Sequence, residues 1–160
     1  MRLETSVVIA CFSGALLSGQ SLSVSQSETS LNAPGTFLVL LNVLPDRAPP
    51  LALQWDLSVP PVIAVRTEDI TIGTAAQAAG KSLTCALREA KGASRRMRYT
   101  CILAGGQRPL GNGAIAHVQY RAKWDLKGAP AEVEIEKVLG VSRDLQRIPM
   151  ANVDINIHIR

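Results

Sequence analysis

His117 and His158 are the only histidines of this sequence. Neither is placed for base catalysis. Nucleophilic catalysis needs a base within hydrogen-bond reach of a nucleophile, with a third group holding the base. Each histidine instead falls on the polar phase of an alternating stretch, with no glycine-rich elbow around it. Both read as surface residues. Glu132, Glu134 and Glu136 alternate with Val133 and Ile135, and Lys137 follows. Period-two spacing puts the three carboxylates on one strand face, a solvated face rather than an acid–base pair. Calcium takes roughly six to eight oxygen ligands. Asp46, Asp56, Asp69, Asp125, Asp144 and Asp154 are too scattered to supply them from one loop. Gly105, Gly106, Gly111 and Gly113 lack the Lys-Ser/Thr step of a phosphate-binding loop, so they read as turn glycines. The sequence therefore predicts no catalytic residue, no metal and no cofactor.

Covalent chemistry is confined to Cys11, Cys85 and Cys101. Cys11 lies in an apolar run, Val7 to Leu17, followed by small polar residues. That run is too short for a membrane span and fits a secretory leader over residues 1–21, cut after Ser21. A lipid on Cys11 is the other reading of that segment. Removing the leader leaves two cysteines, which can pair in an oxidising compartment. A Cys85–Cys101 bridge over so short a loop contributes roughly 3 kcal/mol in the chain-entropy model. The alternative is two buried free thiols in a cytosolic core. No Cys-x-x-Cys occurs, so zinc has no footing.

The 160 residues carry 17 Lys+Arg against 13 Asp+Glu, a formal charge of +4. Five of those bases (Arg88, Lys91, Arg95, Arg96 and Arg98) lie between Cys85 and Cys101 with one acid, Glu89. Twelve of the 17 bases and twelve of the 13 acids remain elsewhere, so the whole excess sits in this loop. A basic loop suits acidic helices, anionic glycans or lipid headgroups, or is simply a solvated hairpin tip. Nucleic acid is not expected, because no aromatic residues interleave with the arginines except Tyr99.

The elements that must hold these groups are short and extended. Length and 47% apolar content fit one ordered domain over residues 22–160. Residues 36–44 are apolar on both phases, as in a strand covered on both faces. Leu53, Trp55, Leu57 and Val59 alternate with Gln54, Asp56 and Ser58 until Pro60-Pro61 ends the strand. Residues 62–65 and 70–72 extend again, and residues 74–80 have helical composition for about two turns, closed by Gly80. Residues 81–87 and 97–103 form a hairpin with Leu83, Cys85 and Leu87 on one side and Tyr99, Cys101 and Leu103 on the other strand's inward side. Residues 114–124 alternate, residues 127–130 turn, and Val153, Ile155, Ile157 and Ile159 close the chain inward. About nine short strands with one apolar face each predict an all-β antiparallel sandwich of two sheets.

Several segments, in order, resemble a cohesin domain, a jelly roll related to carbohydrate-binding modules. They are Ala33-Pro34-Gly35-Thr36 before a long apolar strand, then 51–58, 78–85, 110–118, and 140–142 to 148–149. The resemblance covers residues 22–160. It implies one sheet of strands 5, 6, 3 and 8 against another of strands 9, 1, 2, 7 and 4. It also implies docking of a dockerin, a small calcium-loaded helical module, on the outer face of the first sheet. Carried over, that face takes Gln54, Asp56, Ser58, Thr84, Arg98, Thr100 and Glu134. The loop 88–96 is longer and more charged than the family pattern and is positioned to cover or reshape the face. The resemblance implies a secreted or surface-attached bacterial binding module.

Two other roles compete. Sugar-binding modules stack exposed aromatics on sugar rings. Of the six aromatics, Phe12 falls in the leader, while Trp55 and Tyr120 alternate with aliphatics. Trp124 is the one candidate glycan contact, enough for a small glycan but not for a polysaccharide chain. The remaining role is a structural or adhesive surface protein that uses edge strands.

Overall fold

The computed structural model describes residues 20–26, 33–88, 95–123 and 130–158. The leader is expected over residues 1–21 and lies outside them except for Gln20 and Ser21. Lys91, Trp124, Ile159 and the turn over 127–129 lie outside them too.

Alternating side chains produce eleven strands among the described residues. These are β1 (Ser21–Gln26), β2 (Pro34–Asn42), β3 (Ala52–Val59), β4 (Ile63–Ala64), β5 (Ile70–Ile72), β6 (Ser82–Arg88), β7 (Met97–Ala104), β8 (Gly113–Ala122), β9 (Ala131–Val141), β10 (Arg147–Pro149) and β11 (Val153–Ile157). A 3-10 turn over Thr67–Asp69 precedes β5, and the only α-helix among the described residues, α1, spans Thr74–Ala78. The five residues of α1 are shorter than the two turns expected. Its C-terminal stop is as expected: Gly80 follows with φ 69°, a conformation that costs glycine nothing.

Two antiparallel sheets face each other. One runs β1-β2-β8-β4, with β5 also on β8. The other runs β10-β9-β3-β7-β6, with β11 also on β9. Phe37, Val39, Leu41, Val118 and Tyr120 of the first meet Trp55, Leu57, Tyr99, Leu103, Val133 and Ile135 of the second, all almost fully buried. At the close of this core Gly35 lies under the Tyr120 ring. A Cβ there would come within 2.3 Å of the ring, so only glycine fits. Burial of such side chains, at about 1.5–3 kcal/mol each, is what holds the sheets together.

Three expectations change. The strand over 36–44 is buried on one face only: β2 buries Gly35, Phe37, Val39 and Leu41 while Thr36, Leu38 and Leu40 stay half-buried. β2 has strand neighbours on both sides, which the apolar run reflects, but no layer of the described residues covers its second face. The acidic strand runs on to Val141 through a bulge at Lys137, whose φ is 51°. The four residues Glu136 to Leu139 of β9 thus lie against the three from Asp56 to Gln54 on β3. The closing strand does not join the sheet of the first strand; β11 pairs antiparallel with β9, Val153 opposite Ile135 and Ile155 opposite Val133. It also lies beside β1, where Gln26 Nε2 donates to Asn156 O at 3.1 Å. At the start of β1, Ser21 pairs with Asn42, and Gln20 Nε2 donates to Ala48 O.

Candidate docking face

The outward side of the six-stranded sheet gathers most of the polar residues picked out from the sequence. β3 is its centre, and antiparallel register fixes what flanks each of its residues. Ser58 lies between Arg98 of β7 and Glu134 of β9; Asp56 between Thr100 and Glu136; Gln54 between Ile102 and Leu139. β6 extends these rows with Arg88, Ala86 and Thr84.

The first two rows are wired together. Thr100 Oγ1 donates to Asp56 Oδ1 at 2.7 Å, and Lys137 Nζ stands 3.3 Å from Asp56 Oδ2. The β9 bulge is what turns Lys137 toward this carboxylate. Arg88 Nε donates to Thr100 Oγ1 at 3.4 Å. Arg98 pairs with Glu136 at 3.4 Å and Arg96 with Glu134 at 3.5 Å. Arg96 also donates to Ser58 Oγ at 2.8 Å and to the carbonyls of Ser58 and Glu132. Individually, pairs this open to water contribute at most about 1 kcal/mol each. Together they fix the orientation of five long side chains.

Gln54, Asp56 and Ser58 all lie on the outward phase of β3, and of the three only Gln54 is exposed. Asp56 is 6% exposed and Ser58 fully buried, although both point outward. Side chains from β7 and β9 close over them, and alternation along β3 alone carries no sign of that. Thr84 and Arg98 are exposed, while Thr100 and Glu134 are half-buried. Of the loop 88–96, residues 89–94 lie outside the described residues; Arg96 at its end reaches over Ser58. Of the basic residues, Arg88 and Arg95 are exposed, whereas Arg96 and Arg98 are committed to acids of β9. The acidic stretch 132–136 and the basic stretch 96–98 are thus two halves of one network, not two separate surfaces.

Sequence reasoning missed Ile102. It is 46% exposed at the centre of the third row, beside Gln54 and Thr84. Its signal was available: Tyr99, Cys101 and Leu103 take the inward phase, so an isoleucine at 102 must face outward. The face therefore has a charged half and a flat, partly apolar half.

The Cys85–Cys101 bridge is present, joining directly opposed residues of β6 and β7 with Cα atoms 4.1 Å apart. Elsewhere the chemistry is structural. Lys81 is buried and donates to Gly105 O at 2.7 Å; burial, with Arg108 nearby, pushes its ammonium pKa down. Arg66 holds the Asp69 carboxyl below the usual range by a direct hydrogen bond across the 3-10 turn. Burial, with Asp69 and Glu68 adding to it, pushes the Tyr99 phenol up, and its hydroxyl donates to Val65 O. His117 is half-buried rather than open, with Nε2 lacking a partner among the described residues, and His158 is exposed. A cleft of about 690 Å³ opens beside Gln20, Arg47, Asp144, Arg147 and Met150, with no nucleophile–base pair in it. Among the described residues no three His, Cys, Asp or Glu side chains cluster as metal ligands, and no helix is long and apolar enough to cross a membrane.

No family model and no characterised protein matches the chain by sequence. Solved structures do match by shape. A cohesin in a type I cohesin–dockerin complex from Clostridium thermocellum aligns at TM-score 0.67 and 10% identity, over 89% of this chain and 99% of that one. A non-cellulosomal cohesin from the archaeon Archaeoglobus fulgidus aligns at TM-score 0.64 and 13% identity, over 89% and 91%. The sixth cohesin of Acetivibrio cellulolyticus scaffoldin B, in complex with a Cel5 dockerin mutant, aligns at TM-score 0.62 and 13% identity, over 87% and 99%. The fold is that of a cohesin module.

Proposed function

We propose that this chain is a secreted, non-catalytic binding module that docks a folded, dockerin-like protein through the outer face of β6, β7, β3 and β9. The observation that carries this is the division of that face. Its charged half is held in fixed geometry by Asp56, Arg96, Arg98, Glu134 and Glu136. Its other half offers Ile102, Gln54 and Thr84 to a partner. A pre-ordered polar frame around an exposed apolar residue suits a protein partner, because little side-chain entropy is lost on docking. Two of the cohesins that share the fold are described in complex with dockerins, which supports the same class of partner. Secretion rests on the leader-like N-terminus and on the bridge.

Calorimetry against a set of dockerin-type modules tests the reading. Saturable binding is expected, weakened on the order of a hundredfold in Ile102→Asp, which puts a charge at the centre of the patch. Silence against every module, or full binding by a folded Ile102→Asp, refutes it.

A further inference from the structure

One edge of the six-stranded sheet is left open. β6 ends the sheet. It is seven residues long and pairs with β7 without a bulge. The usual edge protections are a proline, an inward lysine, a bulge or very short length. β4 and β10 are two and three residues long, and β10 carries Pro149. β6 has none of these, and Ser82 to Leu87 carries no charge.

The register shows which groups the edge presents. In an antiparallel pair, directly opposed residues alternate between hydrogen-bonded pairs, with Cα atoms about 5.5 Å apart, and non-bonded pairs about 4.5 Å apart. Cys85 and Cys101 are 4.1 Å apart, a non-bonded pair. Leu83 and Leu87 share that phase, opposite Leu103 and Tyr99. The N–H and C=O of Leu83, Cys85 and Leu87 therefore point away from β7, and no hydrogen bond reaches them from the described residues. Thr84 and Ala86 spend theirs on β7.

This set is symmetric about Cys85. From it we infer that β6 is a self-pairing edge: two copies of the chain join antiparallel there about a two-fold axis through Cys85. Cys85 then faces Cys85 of the second copy, and Leu83 faces Leu87 in both directions, giving about six main-chain hydrogen bonds. Leu87 is 50% exposed in the single chain, and the second copy's Leu83 covers it. Thr84 meets Ala86 and Ser82 meets Arg88, so no like charges oppose each other. A two-fold axis through such a pair stands perpendicular to the sheet, so both outer faces look the same way and the dimer offers two docking faces side by side. The pairing itself needs no docking partner and stands or falls separately from that reading.

Sedimentation of the purified chain over a range of concentrations, with hydrogen exchange on the same samples, tests it. A monomer–dimer equilibrium is expected, weakened at least about tenfold in Leu87→Lys, an inward edge lysine. Leu145→Lys, at an exposed leucine in the β9–β10 turn, leaves it unchanged. In the unsubstituted protein the amides of Leu83, Cys85 and Leu87 exchange fast when dilute and slowly when concentrated. Those of Thr84 and Ala86 are slow throughout. A chain monomeric at every concentration overturns the inference. So does a dimer that Leu87→Lys leaves intact, or protection at 83, 85 and 87 that ignores concentration.

Discussion

On the outward side of the five-stranded sheet, Leu38 and Leu40 sit half-buried beside Ser23, Ser25, Gln119 and His117. None of the ion pairs among the described residues falls there. On the outward side of the six-stranded sheet, three ion pairs and a hydroxyl–carboxylate bond hold Asp56, Arg96, Arg98, Thr100, Glu134, Glu136 and Lys137 in one arrangement. The two sheets share the same alternation and the same core, so folding alone did not require the difference. A solvated strand face needs only polar side chains, as the first sheet shows. A face whose charges are mutually satisfied and partly buried is specific in geometry, which is what recognition needs and stability does not.

The largest way to test this contrast is to cut the bridge. Cys85→Ser with Cys101→Ser is expected to cost about 3 kcal/mol in urea unfolding. The loss of hydrogen-exchange protection should stay in β6 and β7, leaving the five-stranded sheet unchanged. Equal loosening of both sheets would mean that the bridge serves the core rather than the face.

Asp56→Ala comes next. It strands the Thr100 hydroxyl and releases Lys137 to solvent, at an expected cost of about 2 kcal/mol. Gln119→Ala on the other outward face should stay within about 0.5 kcal/mol. Similar values for the two in thermal unfolding would dissolve the contrast.

The smallest effect is a pH dependence inside the five-stranded sheet. Burial pushes the Tyr120 phenol above its ordinary value of 10.0. In alkali the unfolded phenol loses its proton first, so the unfolded state binds fewer protons and stability falls. The folded advantage is full below pH 10.0 and is lost as pH rises through the folded pKa. Tyr120→Phe removes that slope. Because the Tyr120 hydroxyl has no partner among the described residues, it should cost less than about 0.5 kcal/mol at pH 7. Alkaline unfolding of the two proteins, followed by circular dichroism, gives the comparison; identical slopes would contradict it.

Much of the architecture was legible because a strand with one buried face writes its period into the sequence. The clean alternations at 53–59, 97–103 and 114–122 all recur in β3, β7 and β8 with the expected side inward. Where the reading failed, a neighbour decided. The double-sided run at 36–44 signalled strand neighbours in the sheet rather than a second covering layer. The β9 bulge has no marker in Glu136-Lys137-Val138, since lysine is not a residue that favours positive φ. The partner of β11 was taken from the family pattern, and here β9 holds it instead.

The candidate face divides the same way. Side-chain phase named Gln54 as outward and cysteine arithmetic named the bridge, both from local geometry and counting, while the family resemblance added Thr84, Arg98 and Thr100. Burial of Asp56 and Ser58, pairing of Arg96 and Arg98 with Glu134 and Glu136, and exposure at the β6 edge depend on strands far apart in sequence. The sequence by itself determined which side of most strands faces the core. Only the tertiary structure decided which strands lie next to each other, and with that which charges meet, because cross-strand pairing acts between residues that the chain does not hold together.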